Sequence, residues 1–372
     1  MATKSNQTNG GETSPKKKMT AKQREKRKRR RIIIFGVEIL VLLVMVAVLY
    51  RVYAGDSTGP MRVQIDKSSV GINDQVHENT TLQGYWNIAL FGLDAETDSQ
   101  LIKSSHSDSI MIASINLDTG DIKLVSIYRD TIMNIGTGDY TKCNQAYFNG
   151  GAEQAIKMMN MNMDLDITDF VAIGYKGLSA LIDGLGGVYI DIDAEELKHI
   201  NNYQISIAEV LKTDYTAVTK TGYQLLNGMQ ATAYSRIRYT AGNDYRRTAR
   251  QREVIMAIEE QAKNASLSTL TKVFEKAAGD IYTSISNEDI ISALGYVGNY
   301  RIVDEGGFPE ETMRTDGSFG SRGSCVVALD LESNVVWLHQ FLFDEEEYTV
   351  SNNVKDYSKE IDAIVSPYLN SR

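Results

Sequence analysis

Between Arg236 and Arg252 the chain sets six arginines (Arg236, Arg238, Arg246, Arg247, Arg250 and Arg252) beside one acid, Asp244, and no lysine. A solvated basic face normally mixes Lys with Arg, whereas an all-Arg set suits two-pronged recognition of phosphate or carboxylate oxygens. The run YSRIRYTAGNDYRRTARQR, Tyr234 to Arg252, therefore reads as an oxyanion site. The competing reading is a set of Arg stems that cover a helix and pair with surface acids. Asn243 and Asp244 are N-cap candidates for a helix over 245–262. Val254, Ile255 and Ile258 form an apolar stripe that extends backwards through Gln251 to Arg247. Arg247 and Gln251 then point inward near the helix start, while Arg246 and Arg252 lie off the stripe and read as solvated.

Two carboxylates are placed to join them. DSIMIASINL (Asp108 to Leu117) and DIKLVSIYRD (Asp121 to Asp130) read as strands joined by a tight turn through Thr119 and Gly120. With the turn centred there, facing residues have numbers summing to about 238, so Asp108 lies opposite Asp130, give or take one position, and shares a sheet end with Arg129. WNIALFGLD reads as a third strand that ends at Asp94 and reaches the same end if it is a neighbour. Carboxylates that hold a divalent metal, beside guanidinium forks that bind phosphate, would make a pyrophosphate site. Turn chemistry at strand ends explains Asp94 and Asp108 equally well, and a plain helix cap explains Asp244.

The elements that must position these groups alternate in type. GGAEQAIKMMNMNM has helical spacing, DFVAIGY reads as a strand, KGLSALIDGLG as a short helix and VYIDIDA as a strand. Helices are expected over 229–237, 267–278 and 287–298. CVVALDLE and NVVWLHQFLF then read as strands, followed by a helix over 354–365 with Pro367 just beyond it. Strands and helices alternating without a repeat predict one α/β domain, a layered α-β-α arrangement with a mixed central sheet over 85–350, and a C-terminal helix over 351–372.

Charge and hydropathy speak about place. The chain carries a net charge of −9, yet residues 1–31 hold twelve Lys or Arg against Glu12 and Glu25, which leaves −19 for the remainder. Ile32 to Tyr50 is an apolar run of nineteen residues, roughly 28 Å as a helix and long enough to cross a bilayer. Glu38, its single charge, lies near the basic end, where reaching the interface lowers its cost. The cluster KQREKRKRRR abuts this run, so the positive-inside bias puts 1–31 in the cytoplasm, 32–50 in the membrane and the body outside the cell. VYA at Val52 to Ala54 is a weak cleavage site, and the length of the apolar run favours an uncleaved anchor. Residues 51–84, polar and dotted with Gly, read as a stalk. The basic tail suits anionic lipid without a nucleic-acid partner. Cys143 and Cys325 are either one disulfide or two buried thiols. No CxxC, HExxH or His cluster argues for zinc.

Together the segments NIALFGLD, HSDSIMIASI, LVSIYRDT, CNQAYFNGG, DFVAIGYKGLSALIDGLGGVYIDI, LLNGMQATAYSRIR and NDYRRTARQR resemble, in order, the LytR-CpsA-Psr family of bacterial envelope proteins. The likeness covers Trp86 to Ala262 strongly and the rest more weakly. It implies an extracytoplasmic phosphotransferase that takes an anionic glycopolymer, such as a teichoic acid or capsular polysaccharide, from a polyprenyl-pyrophosphate carrier and attaches it to a peptidoglycan hydroxyl as a phosphodiester. Carried over, Asp94 and Asp108 would bind Mg²⁺ or Mn²⁺. Arg129, Arg236, Arg238, Arg247, Arg250 and Gln251 would contact pyrophosphate, with Arg129, Asp108 and Arg247 as the catalytic set. Two positions depart from the family pattern: Tyr128 stands where Pro is usual, and His106 where Arg is usual. A catalytically weak glycopolymer-binding protein is the runner-up reading. A membrane-bound transcriptional attenuator is disfavoured, because the short cytoplasmic tail holds no DNA-reading unit.

Overall fold

The computed structural model describes residues 60–369, apart from 96, 267–268, 271–272, 274–276 and 286–299. The basic tail, the apolar run at 32–50 and the helix expected over 287–298 lie outside the described residues, as does much of 267–278. Among the described residues no helix is long and apolar enough to cross a membrane.

Thirteen described strands are β1 (Met61–Arg62), β2 (Tyr85–Leu93), β3 (Ser107–Asn116), β4 (Asp121–Ile127), β5 (Ile132–Asn134), β6 (Tyr140–Lys142), β7 (Asp169–Gly174), β8 (Val188–Ile192), β9 (Gly222–Leu226), β10 (Ile281–Thr283), β11 (Arg301–Phe308), β12 (Arg314–Ser318) and β13 (Ser324–Ala328). The longer helices are α1 (Asn144–Met163), α2 (Tyr175–Gly184), α3 (Ala194–Leu211), α4 (Gly228–Arg236), α5 (Asn243–Asn264), α6 (Leu331–Phe343) and α7 (Asn352–Leu369). Seven strands form the central sheet in the order β1-β10-β7-β2-β3-β4-β11. Its pairings are mixed, with β7 parallel to β2, and β2, β3 and β4 antiparallel.

Both faces of the sheet are buried, so its strands carry apolar residues on both sides. On β2, Ile88 joins the core beneath α2, α4 and α5, while Ala89, Phe91 and Leu93 join the core beneath α1, α6 and α7. The layered α-β-α architecture follows directly from that alternation. The hairpin register pairs Met111 with Ser126 and Ile115 with Ile122, one position from the expected sum. At the far end of β3 the pairing with β2 shifts between Gly92 and Leu93, and Asp108 is the extra residue of this bulge. Bulges re-aim side chains. Gly92 is needed there, since a Cβ would sit 2.9 Å from the Ser109 Cβ.

Several elements differ from the sequence reading. Residues 60–84 are no free stalk: β1 pairs with β10, and Ile65, Val70, Val76 and Leu82 are buried. The β10 partner is distant in sequence, so no local pattern announces it. NVVWLHQFLF is helical, capped by the Asp330 carboxylate accepting from the Glu332 amide, and buries Val335, Leu338 and Leu342. Its short apolar run has no period that separates a buried strand from a buried helix. Pro367 lies inside α7 and does not follow its end. The cap of α5 is Gly242, at φ 88°, which leaves Asp244 in the first turn. VYIDIDA forms β8, but pairs only with β9 in a separate two-stranded ribbon. Helix α3 was not anticipated, although Asp193 and Glu196 form a reciprocal capping box at its start.

Candidate active site

Asp108 is the centre of the site. Arg129 Nη1 donates to its Oδ1 at 2.6 Å, Arg238 Nη2 to its Oδ2 at 3.3 Å, and Arg247 Nη1 lies 3.9 Å from Oδ2. Arg247 Nη2 donates to the Asp108 carbonyl at 2.9 Å, and Gln251 Nε2 reaches the same oxygen at 3.5 Å. Three elements therefore converge on one bulge residue: the end of β4, the segment after α4 and the first three turns of α5. Burial alone would raise the Asp108 pKa, but Arg247, Arg129 and Arg238 together hold it below the ordinary carboxylate value.

Asp244 supplies the second negative charge, 3.1 Å from Arg247 Nη2 and 3.6 Å from Arg129 Nε. Burial brings the Arg247 guanidinium down to about 10, opposed by Asp244, so it remains charged at neutral pH. The Nε–H groups of Arg129 and Arg247 are buried without a hydrogen-bond partner. Unmet donors on two adjacent guanidiniums are what an incoming oxyanion would satisfy.

These groups sit at the mouth of a cavity of about 530 Å³. Asp94, Asp108, Arg236, Arg238, Arg247 and Gln251 line its polar end, and Leu90, Met111, Val171, Leu178, Val254 and Ile258 line its apolar depth. Arg236 stacks on the Tyr175 ring, 4.0 Å from its centroid. Arg129 meets the cluster through Asp108 and Asp244 and is not itself among the lining residues. Asp94 is exposed at the mouth. His106 stacks on Phe148 with ring centroids 4.6 Å apart.

Arg250 is placed elsewhere. Its side chain is 1% exposed; Nε donates to Glu196 Oε1 at 2.8 Å, Nη1 to the Ile237 carbonyl and Nη2 to Thr240 Oγ1. Its guanidinium holds α3 to α5 and does not open on the cavity. Breaking a buried ion pair from one side costs about 3–5 kcal/mol. Arg250→Leu should lower the unfolding free energy by that amount in a urea titration, while pyrophosphate affinity of the folded fraction stays unchanged.

Arg252 and Arg246 also correct the solvated reading. Arg252 is 8% exposed, bound to Glu305 at 2.6 Å and to Ser126 Oγ at 2.9 Å, because β11 brings Glu305 over α5. Arg246 is half-buried against Glu196 and Glu253.

Tyr128 and the Cys143 thiol lie beside Arg129. The Tyr128 ring meets Tyr245 edge-on, and Arg314 lies over both rings at 4.8 and 4.0 Å. Gly307 leaves room for the phenol, since a Cβ there would sit 2.0 Å from Tyr128 Oη. The Cys143 thiol donates to the Tyr128 and Arg129 carbonyls. Cys143 and Cys325 are both free and buried, and burial pushes both thiols up. Alkylation in denaturant without reductant should therefore modify two cysteines, and modification of neither would mean a disulfide.

The sequence matches the LytR_cpsA_psr family over residues 55–322. The chain belongs to the LytR-CpsA-Psr family. Among its relatives, Biofilm regulatory protein A of Streptococcus mutans is 30% identical over 239 residues, 59% of this chain and 57% of that protein. The polyisoprenyl-teichoic acid–peptidoglycan teichoic acid transferase TagU of Enterococcus faecalis is 27% identical over 265 residues, 69% of this chain and 79% of that protein. Bacillus subtilis YwtF (TagT) with bound octaprenyl pyrophosphate lipid shares the fold at a TM-score of 0.53 and 19% identity, over 76% of this chain and 99% of that one.

Within this family member, some cavity residues lay beyond the sequence reading. Tyr175 and the α3 residues His199, Asn202 and Tyr203 line the cavity. Tyr175 ends the DFVAIGY segment and carried no charge signal. The α3 residues lie on a helix that the sequence reading does not contain, although its capping box, Asp193 and Glu196, is legible there.

Proposed function

We propose that the chain is a phosphotransferase that moves an anionic glycopolymer from a polyprenyl-pyrophosphate carrier to a peptidoglycan hydroxyl as a phosphodiester. One observation carries this reading: the guanidiniums of Arg236, Arg238 and Arg247, the last with a buried donor unmet, line the polar end of an otherwise apolar cavity. Such a site matches a ligand with an anionic head and a long apolar tail. The name of the E. faecalis relative and the lipid held by the YwtF fold support the same ligand class.

In the proposed reaction the acceptor oxygen bonds to the phosphorus that carries the glycopolymer. The P–O bond to the polyprenyl phosphate breaks, polyprenyl phosphate leaves, and the hydroxyl proton departs to solvent. Arg238 and Arg247 hold the equatorial oxygens, and Arg236, braced on Tyr175, meets the pyrophosphate at the rim. Arg129 stiffens Asp108 and turns to the phosphate as negative charge develops. The apolar depth excludes water from the leaving side.

A divalent cation, Mg²⁺ or Mn²⁺, fits the donor set. Asp94 and Asp108 line one cavity, and among the described residues no group of three or more His, Cys, Asp or Glu could cage a metal unaided. One or two carboxylates completed by phosphate oxygens and water is the usual Mg²⁺ arrangement. When bound, the cation would offset charge on the pyrophosphate. Residues 32–50 form the proposed anchor, with 1–31 in the cytoplasm and the described domain outside the cell.

The purified protein, supplied with a lipid-linked pyrophosphate donor and a glycan acceptor, should release polyprenyl phosphate and form the phosphodiester. Asp94→Asn should raise the Mg²⁺ concentration needed for half-maximal turnover. Turnover that ignores both chelator and this substitution would remove the metal from the reading. Saccharide and lipid binding without any product would leave a binding protein instead.

A further inference from the structure

A second cavity, of about 390 Å³, lies at the opposite end of the central sheet. Trp86, Asn87, Asp166 and Asp169 line it on the domain side, with Asn79 and Gln83 from the segment before β2. Trp86 opens and Asp94 follows β2, so the two sites stand roughly 25–30 Å apart.

Its walls differ in kind from the first. The Trp86 indole is half-buried, and its Nε1–H donates to Asp169 Oδ2 at 2.9 Å, which fixes the ring. Asn87 Nδ2 donates to Asp166 Oδ1 at 2.7 Å. The other amide atom, Asn87 Oδ1, has no hydrogen-bond partner although the residue is only 3% exposed. A buried acceptor left unpaired is costly, and it calls for a donor. The cavity thus offers a fixed aromatic surface, amide and carboxylate acceptors that include the unmet Asn87 Oδ1, and the donors Lys67 and His77 on the remaining wall. A ligand rich in hydroxyl and amide N–H donors, with apolar C–H faces, complements it. Asp166 and Asp169 outnumber the one ammonium, Lys67, so the wall does not favour an anionic polymer.

Chain direction adds a second observation. Met61 pairs with Tyr282, Tyr282 with Ala172, and Ala172 with Phe91, so the chain enters the fold near the arginine end. The second cavity therefore lies at the end of the sheet opposite the one at which the chain enters.

We propose that this cavity binds an uncharged amino-sugar oligosaccharide, holding a length of wall glycan while the arginine site acts on the lipid-linked donor. The acceptor role rests on the phosphotransferase reading; the binding itself does not.

The test uses the full chain in detergent micelles. Only two tryptophans are present, so Trp337→Phe leaves Trp86 as the sole reporter. Titration with an N-acetylglucosamine tetrasaccharide should give a saturable change in emission, and poly(glycerol phosphate) should give none. By calorimetry, Asp166→Asn and Trp86→Ala should each weaken saccharide binding by about tenfold or more. Asp166→Asn keeps the side-chain shape, so its thermal midpoint should stay near wild type and guard against misfolding. Polyprenyl phosphate release with a short acceptor should also be unchanged in that variant. Absence of saturable saccharide binding, preference for the anionic polymer, or wild-type affinity in both variants would overturn the proposal. Saccharide binding without any donor turnover would sink the phosphotransferase reading and leave this one standing.

Discussion

Arg129→Lys and Arg247→Lys should each lose about tenfold or more in transfer rate while the protein stays folded. Arg247 reaches the Asp108 carbonyl and Asp244 with one nitrogen and approaches the Asp108 carboxylate with another. Arg129 likewise spans Asp108 and Asp244. A lysine ammonium keeps the charge but is a single point with no planar fork, so it cannot hold a carboxylate and a phosphate oxygen at fixed angles. Loss of one charge-assisted hydrogen bond in the transition state, roughly 1.5–3 kcal/mol, corresponds to a tenfold effect or more. Arg252→Lys is the control, since that residue is buried against Glu305 and Ser126 away from Asp108. It should lower the thermal midpoint and leave turnover per folded molecule intact. Near-wild-type turnover in both Arg129→Lys and Arg247→Lys would mean that charge alone matters, and the fork-based site would have to be abandoned.

Asp108→Asn should be the most damaging single substitution at the site, in stability as well as rate. It leaves Arg129, Arg238 and Arg247 facing one another with Asp244, and Asp130 beside Arg129, as the remaining counter-charge. The Asp108 side chain is 20% exposed, so solvent screens part of the loss. Roughly 2–4 kcal/mol of unfolding free energy is expected. The pH dependence has a definite sign. The folded-state pKa of Asp108 is lowered from 3.8, so its contribution is complete above that value and is lost as the pH falls through the lower, folded one. Wild type should lose this increment in acid, and Asp108→Asn should show no such loss. Inorganic pyrophosphate separates the two roles proposed for this residue. If Asp108 chiefly offsets the arginines, the anion should raise the thermal midpoint of Asp108→Asn more than that of wild type, without added metal. If it chiefly holds the cation, the variant should gain less than wild type, and only wild type should respond to Mg²⁺.

The sequence alone determined what depends on local pattern. The hairpin from Asp108 to Asp130, the inward stripe of α5 and the unmixed arginine run were readable because period-2 and period-3.6 repeats and tight-turn residues act over a few positions. That was enough to place Asp108 beside Arg129 and to turn Arg247 inward; the family resemblance implied that the three share one site. Tertiary structure decided which charges are spent. Arg250 and Arg252 carry the same side chain as Arg247, a turn or so along one helix, yet Glu196 of α3 and Glu305 of β11 take them up as structural pairs. Their partners are some fifty residues away in sequence, and no spacing rule reports such a pairing. The same limit explains β1, whose partner β10 is far along the chain, and α6, whose apolar run fits either a buried strand or a buried helix. A side chain's type was legible in the sequence; whether its charge is free for a ligand was set by packing against distant elements.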